Sequence, residues 1–392
     1  NENGMKTFEE TACLCAMNRI FGFEPKIGIA LLQHFGNATE VMKLSPKDQE
    51  LILGPHSKFL RRLSSQVADE AAEELLRLNE QHIRFIGLTH ENYPALLREC
   101  EDSPIGLYVR STSPLDSIFN SRTNISIVGT RDLSLYGEEW CKKSVQGLSQ
   151  TKDKPVIVSG LALGTDICAH KTAIECGVPT IGVMATGPEK IYPWRHSDFA
   201  ERMIHTPGCA LITDYPPGTA PLAIHFLRRN RIIAGLSRAT ILIESKIRGG
   251  GMMTCRLAFS YGREVYALPG RADDIRSQGC NLLIKEKIAE PITSALDLVK
   301  DLDLQTLPNG VKAASEQNIL ARIYSSRLPR EQIAQMHEVL VIIRKHRGIT
   351  IEEISELSHL EYSRVAVLTR LLETDDIISI DLLQRCTINI RK

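Results

Sequence analysis

Four short stretches hold the residues best suited to gripping a phosphate-bearing ligand. They are Gly129-Thr130-Arg131, Ser159-Gly160-Leu161-Ala162-Leu163-Gly164-Thr165-Asp166, Thr186-Gly187-Pro188-Glu189-Lys190-Ile191-Tyr192-Pro193-Trp194-Arg195 and Arg248-Gly249-Gly250-Gly251-Met252-Met253-Thr254. Glycine lets backbone N–H groups come close to an anion, and a helix N-terminus adds unpaired donors and the positive end of a dipole. Any one stretch is also what a tightly packed strand–helix turn looks like. All of them on one sheet edge point to a polyanion or nucleotide site. Asp166, early in its helix, reads as a partner of the helix dipole, and His170 four residues on reads as a hydrogen-bonding or packing residue.

Charge is concentrated near these stretches. Between Tyr215 and Arg263 lie Arg228, Arg229, Arg231, Arg238, Lys246, Arg248, Arg256 and Arg263, against Glu244 alone, a net of +7. Tyr215, Phe226 and Tyr261 are interleaved with them, and Tyr192 and Trp194 stand in the preceding loop. Cationic groups for phosphates beside flat rings for bases is the composition of a single-strand nucleic-acid groove.

Other chemistries lack their residues. No G-x-x-x-x-G-K-[ST], H-E-x-x-H or G-x-S-x-G occurs, and no G-x-G-x-x-G follows the first strand of the central segment. The carboxylates near the strand edge, Asp166, Asp214 and Glu244, have no His or Lys at a spacing that makes an acid–base pair. The ten cysteines form no Cys-x-x-Cys and no zinc-like set with histidines, so neither metal nor cofactor is expected.

These loops need a scaffold, and the sequence supplies one. Short apolar runs at Ile125–Val128, Val156–Val158, Thr180–Met184, Ala210–Ile212, Thr240–Ile243 and Glu264–Leu268 alternate with amphipathic helical stretches. That pattern predicts an α/β fold with a mostly parallel sheet covered on both faces, whose ligands bind beyond the carboxyl ends of the strands. Residues 1–112 read as a separate small helical domain, of SAM- or helix-hairpin-helix-like type, with Lys26-Ile27-Gly28 a faint candidate for amide–phosphate contact. Residues 113–304 hold the Rossmann-like domain and 305–328 an aperiodic linker. Residues 329–392 show three helices and a strand pair in winged-helix order, with a capping-box pattern at Thr350 and Glu353. Between Glu352 and Asp376 seven acids face Arg364 and Arg370, a net of −5 that favours a protein contact over DNA.

Over the whole chain of 392 residues, 47 Lys+Arg balance 47 Asp+Glu. That excludes a polybasic coat, and 43% hydrophobic with 24% charged residues excludes a largely disordered chain. Scattered unpaired thiols fit a reducing compartment, and no apolar run approaches the roughly 18 residues of a membrane span. A soluble, cytoplasmic protein is the expectation.

Taken together, Val128-Gly-Thr-Arg131, Ser159–Asp166 with Ala169-His170, Tyr192-Pro193, Tyr215-Pro-Pro-Gly-Thr219, Arg229-Asn-Arg-Ile-Ile-Ala-Gly-Leu-Ser237, Gly262–Gly270 and Ser277-x-Gly279-x-Asn281 resemble the DNA-processing protein A (DprA/Smf) family of natural transformation. The resemblance implies an extended Rossmann domain that dimerises, coats single-stranded DNA and hands it to the recombinase RecA. It also implies phosphate contacts from Arg131, Arg229 and Arg231, with Asn230 between them and Arg195 after the Tyr-Pro pair. Two stretches depart from the family pattern. Phe226-Leu227-Arg228 stands where Phe-Pro is usual, and Gly249-Gly250-Gly251 where Ser-Gly-Ser/Thr is usual.

The expected interface therefore comprises Gly129, Thr130, Arg131, Ser159, Gly160, Gly164, Tyr192, Arg195, Phe226, Arg228, Arg229, Asn230, Arg231, Gly250 and Thr254, with Phe226 or Tyr192 stacking on a base. Arg131→Ala and Arg229→Ala are each expected to weaken binding and leave the fold intact. The competing expectation is a nucleotide-cleaving enzyme of the phosphoribohydrolase type. Its P-G-G-x-G-T-x-x-E loop, laid on Gly250-Gly251-x-x-Thr254, puts Leu257 at the catalytic glutamate, and leucine cannot assist glycosidic cleavage. A regulator acting through the winged helix comes third.

Overall fold

The computed structural model describes residues 2–304, 320, 324, 328–346, 348–375 and 377–388. It separates into two compact units, residues 1–259 with 263–299, and residues 260–262 with 300–392.

The first unit opens with five helices, α1 (Glu2–Phe21), α2 (Pro25–Phe35), α3 (Ala38–Met42), α4 (Pro46–Leu53) and α5 (Ser65–Asn79). Local chemistry sets their ends. Asn37, Ser45 and Ser64 cap α3, α4 and α5 by accepting backbone N–H bonds, and Gly36 (φ 82°) closes α2 in the left-handed conformation. Ala68, Ala71, Leu75 and Leu78 form the buried stripe of α5 at the spacing the sequence shows. Gly28 lies inside α2, and a Cβ there would strike Ile105 at 2.3 Å. The Lys26-Ile27-Gly28 stretch is thus a packing contact and not an exposed amide turn.

Next come β1 (Ile83–Gly87), the single turn α6 (Ala95–Arg98), β2 (Gly106–Arg110) and the turn α7 (Leu115–Ile118). Strand–helix alternation follows. Strand β3 (Asn124–Val128) leads to α8 (Leu135–Ser149), β4 (Val156–Ser159) to α9 (Thr165–Glu175) and β5 (Thr180–Val183) to α10 (Ser197–Ile204). Strand β6 (Ala210–Thr213) leads to α11 (Ala223–Leu236), β7 (Ala239–Leu242) to α12 (Gly250–Ser260) and β8 (Glu264–Ala267) to α13 (Gln278–Lys285). The last elements are β9 (Glu290–Pro291) and α14 (Ala295–Asp301). The six apolar runs read from the sequence coincide with β3–β8 to within one residue.

All nine strands form one sheet, in the order β1-β2-β6-β5-β4-β3-β7-β8-β9. The pairs from β6 through β9 are parallel, whereas β1–β2 and β2–β6 are antiparallel, with Tyr108 opposite Thr213. This overturns the boundary expected at 112/113. The β1–β2 ribbon continues the central sheet, and the helices close over it in one core with Ile83, Phe85, Ile105 and Tyr108. The amino-terminal helices are therefore a layer of the same unit.

The second unit contains α15 (Arg330–Lys345), β10 (Ile349–Thr350), α16 (Ile351–Ser358), α17 (Tyr362–Thr374), β11 (Ile378–Ile380) and β12 (Arg385–Ile388). Its strands pair antiparallel in the order β10-β12-β11, and Thr350 with Glu353 makes both bonds of a capping box at α16. Met336, Val339, Ile354, Val365, Leu368 and Leu372 fill its core. The linker expected at 305–328 lies almost wholly outside the described residues.

Candidate nucleic-acid interface

Strand order decides where a site can form. From β3 the sheet grows one way through β4, β5 and β6 and the other way through β7 and β8, so the crossovers diverge between β3 and β7. Divergence opens a crevice at the carboxyl ends of those two strands. Gly129 leaves β3 there and Gly250 starts α12 after β7. Gly251 is buried so close to Gly129 that its Cβ would lie 3.4 Å from the Gly129 Cα and 2.7 Å from Leu242. A Cβ at Gly250, by contrast, would meet nothing within 4 Å. Of the glycines expected at the interface, Gly250 is the one facing open space at a helix N-terminus.

The neighbouring loop is held from within. Gly164, at φ 77°, is the N-cap of α9, and the Thr165 amide donates to the Thr130 carbonyl (3.1 Å). The Thr165 hydroxyl donates to the same oxygen (3.2 Å). Loop Gly160–Thr165 is thereby latched to the loop that carries Arg131, and the Thr165 amide is spent on the latch instead of a ligand. The Ser159 hydroxyl donates to Ile127 O (2.6 Å), and buried Thr254 turns its hydroxyl back to Gly250 O (3.4 Å). The Thr130 hydroxyl accepts from the Asp132 amide (3.1 Å), so all three expected Ser and Thr hydroxyls have partners within the loops.

Behind this latch sits a buried charge pair. A Cβ on Gly160 would fall 2.4 Å from Asp166 Oδ2 and 2.6 Å from Arg229 Nη1, so only glycine lets the two side chains close over the end of β4. Arg229 donates to the Val183 carbonyl at the end of β5 and reaches Asn230 Oδ1 (3.4 Å), and Asp166 Oδ2 accepts from the Ala162 amide (3.4 Å). Burial pushes the Asp166 carboxyl above its ordinary range, opposed chiefly by Arg229, and burial likewise depresses the Arg229 guanidinium. His170 bridges Gly160 O and the Thr180 hydroxyl, each at 2.6 Å. Because a carbonyl only accepts, Nε2 carries the proton. Burial lowers the imidazole from 6.5 to about 4 and keeps it neutral. As expected, His170 braces the loop.

In front of the pair the groups are accessible. The half-buried Phe226 ring has the exposed Arg131 guanidinium over it at 5.7 Å, that of Arg229 at 5.9 Å, and the Tyr192 ring edge-on at 5.5 Å. Tyr192, in a cis peptide bond to Pro193, is 44% exposed, and Trp194 and Arg195 follow on an exposed single turn. Arg131, Tyr192 and Phe226 thus converge from three separate loops and helices.

The remaining arginines do other work. Arg231 is buried against Asp214 (2.6 Å), and Arg228 lies 3.7 Å from the same carboxylate with its guanidinium 4.5 Å above exposed Phe23. Arg238 pairs with Glu264, Arg256 with Glu286 and Arg263 with Glu99. The net +7 is therefore no continuous positive face. Five of its eight cations meet acids that all lie outside residues 215–263, and Arg229 is buried. Lys246 and Arg248, exposed just before Gly250, stay at the crevice. Glu244 is also engaged, accepting from the Ser134 amide (3.0 Å) and hydroxyl (2.5 Å).

Sequence reasoning missed Lys171, which with Arg131, Lys142 and the acids Asp132, Glu138 and Glu175 lines a groove of about 460 Å³ between α8 and α9. Ordinary helical surface spacing hides such a residue. Among the described residues no cluster of His, Cys, Asp and Glu could hold a metal ion, and no helix is long and apolar enough to cross a membrane.

A mostly parallel sheet with glycine turns and a cation–aromatic cluster at its strand ends defines a Rossmann-like α/β protein. The sequence model of DNA recombination-mediator protein A matches residues 84–303, from the start of the β1–β2 ribbon to just past α14. The chain belongs to that family. It is 34% identical over 260 residues to the DNA processing protein DprA of Streptococcus pneumoniae, covering 65% of this chain and 89% of the relative. With DprA of Bacillus subtilis it shares 36% over 230 residues, covering 58% and 74%. Two solved structures superpose on it. DprA of S. pneumoniae gives a TM-score of 0.53 at 32% identity, over 67% of this chain and 94% of that one. DprA of Helicobacter pylori, studied for its mode of binding single-stranded DNA, gives 0.50 at 27%, over 57% and 97%.

Proposed function

We propose that this chain binds single-stranded DNA along the β3–β7 crevice and loads a RecA-type recombinase onto it, acting as a homodimer in the cytoplasm and not as an enzyme. The observation that carries the reading is the convergence of Arg131, Tyr192 and Phe226, with the open N-terminus of α12 packed against Gly129 of the loop that carries Arg131. A guanidinium for the phosphate, two rings for the bases and free space at Gly250 for the backbone are what an unpaired strand requires. Duplex DNA hides its base faces and cannot use the rings. The single-strand binding of the H. pylori relative supports the same reading. Asp166, Asp214 and Glu244, the carboxylates near the strand edge, are each tied to an arginine or a backbone turn.

Within this reading Arg131, Tyr192, Phe226, Gly250 and Arg195 contact DNA, whereas Gly129, Gly160, Gly164, Ser159, Thr130 and Thr254 shape the loops. Arg229, Asn230, Arg228 and Arg231 hold the helix that presents Phe226. The test is fluorescence anisotropy with an unstructured oligonucleotide and the matching duplex at two salt concentrations. Tighter binding to the single strand, weakening steeply with salt, is expected. Equal affinity for both forms, or turnover of a nucleoside monophosphate, overturns the proposal. Recombinase filament growth on the same oligonucleotide, with and without this protein, tests the loading step.

A further inference from the structure

Helices α8 and α9 pack side by side, and each sends one cysteine into their seam. Cys141 is fully buried, and its thiol donates to the Thr165 carbonyl (3.9 Å), which lies one helical turn before Cys168 on α9. Cys168 is only half-buried and lines the groove shared with Arg131, Lys142 and Lys171. The two thiols therefore differ in access while lying at the same turn of the seam. We propose that Cys168 and Cys141 are a peroxide-oxidisable dithiol, with Cys168 the attacking thiol at the groove and Cys141 the resolving thiol behind it.

Chemistry and placement agree. The neighbouring Cys141 thiol draws the Cys168 thiol below its ordinary value, helped by the Thr172 hydroxyl and Lys142 and opposed by burial and Glu138. Thiolate is the nucleophilic form. Most of the other thiols are sealed in the core, and burial pushes Cys15 and Cys280 up to about 12. In the first step the Cys168 thiolate attacks one peroxide oxygen, the O–O bond breaks, and Cys168 becomes a sulfenic acid as hydroxide leaves and takes a proton to form water. In the second, the Cys141 sulfur attacks the Cys168 sulfur, a disulfide forms, and the S–O bond breaks to release a second water with the Cys141 proton. Two thiols are oxidised, and one hydrogen peroxide is reduced to two waters.

The proposal makes no use of DNA binding and stands or falls separately from it. The test treats the full-length reduced protein with hydrogen peroxide near stoichiometry, then reads intact mass and a non-reducing peptide map. A loss of two hydrogens per chain, a linked Cys141–Cys168 peptide and reversal by dithiothreitol are expected. Cys168→Ser should abolish the mass loss. Cys141→Ser should leave Cys168 as a sulfenic acid that dimedone captures. Wild-type protein in which Cys168 runs on to sulfinic acid without the cross-link overturns the proposal. So does pairing of Cys168 with another cysteine, or earlier oxidation of a different thiol. The wild-type map alone decides the matter if Cys141→Ser does not fold.

Discussion

His170 offers a direct measurement of how tightly the loop behind Arg131 is built. Its imidazole is held neutral at about 4 in the folded protein, against 6.5 ordinarily, because burial between Gly160 O and Thr180 excludes the charge. The unfolded chain thus binds the proton more readily than the folded one. Stability from this residue is complete above about pH 6.5 and drains away as pH falls toward 4. Each tenfold difference in proton affinity between the two states is worth about 1.36 kcal/mol. The whole difference is then worth roughly 3 kcal/mol, of which about 2 kcal/mol is lost between pH 7 and pH 5. That is a large share of a typical margin of about 5–15 kcal/mol. Denaturant unfolding at both pH values, on wild type and His170→Gln, isolates the effect. Glutamine can still donate to Gly160 O but cannot titrate, and all other groups, Asp166 included, are common to both proteins. The wild type should lose about 2 kcal/mol more than the variant. Equal losses would refute the neutral, buried imidazole and the brace built on it.

Arg131→Ala should weaken oligonucleotide binding and lower the salt slope by about one while the melting temperature holds, measured by anisotropy and thermal unfolding. Arg229→Ala should instead destabilise the fold by about 3–5 kcal/mol in denaturant titrations, because it leaves Asp166 buried without its counter-charge. Gly160→Ala, whose Cβ falls on Asp166 and Arg229, should be as damaging by the same assay. Gly250→Ala should unfold no earlier than wild type and gain up to about 1 kcal/mol, yet bind the oligonucleotide more weakly by putting a methyl group where the strand passes.

How much of this was legible in the sequence depends on how locally each feature is encoded. Strands β3–β8 are continuous apolar runs between helical stretches, so composition alone reveals them. Ile83–Gly87 and Gly106–Arg110 look no different from short pieces of a helical region, because β1 becomes a strand by pairing with β2, and β2 by pairing with β6 about a hundred residues on. Charge behaves likewise. The stretch with net +7 begins one residue after Asp214 and ends one before Glu264, the acids that neutralise Arg228, Arg231 and Arg238. Arg131 stands apart from that stretch, and only the geometry brings it over Phe226. The glycines were legible as a set and not in their roles, since Gly160 makes room for a buried pair and Gly250 for open space.

The pairing of β2 with β6 also bears on how the protein is born. Tyr108 leaves the ribosome long before Thr213, its partner across the sheet. At about 5–20 residues per second, roughly 5–20 s of synthesis separate the two. Throughout that wait β2 has one bare hydrogen-bonding edge, the kind of template that nascent chains use to stick to each other. A two-stranded ribbon is marginal alone, but α1–α5 are made first and already bury Ile83, Phe85 and Tyr108. The amino-terminal helices thus serve as a shelter for the growing chain before they become one wall of the finished sheet.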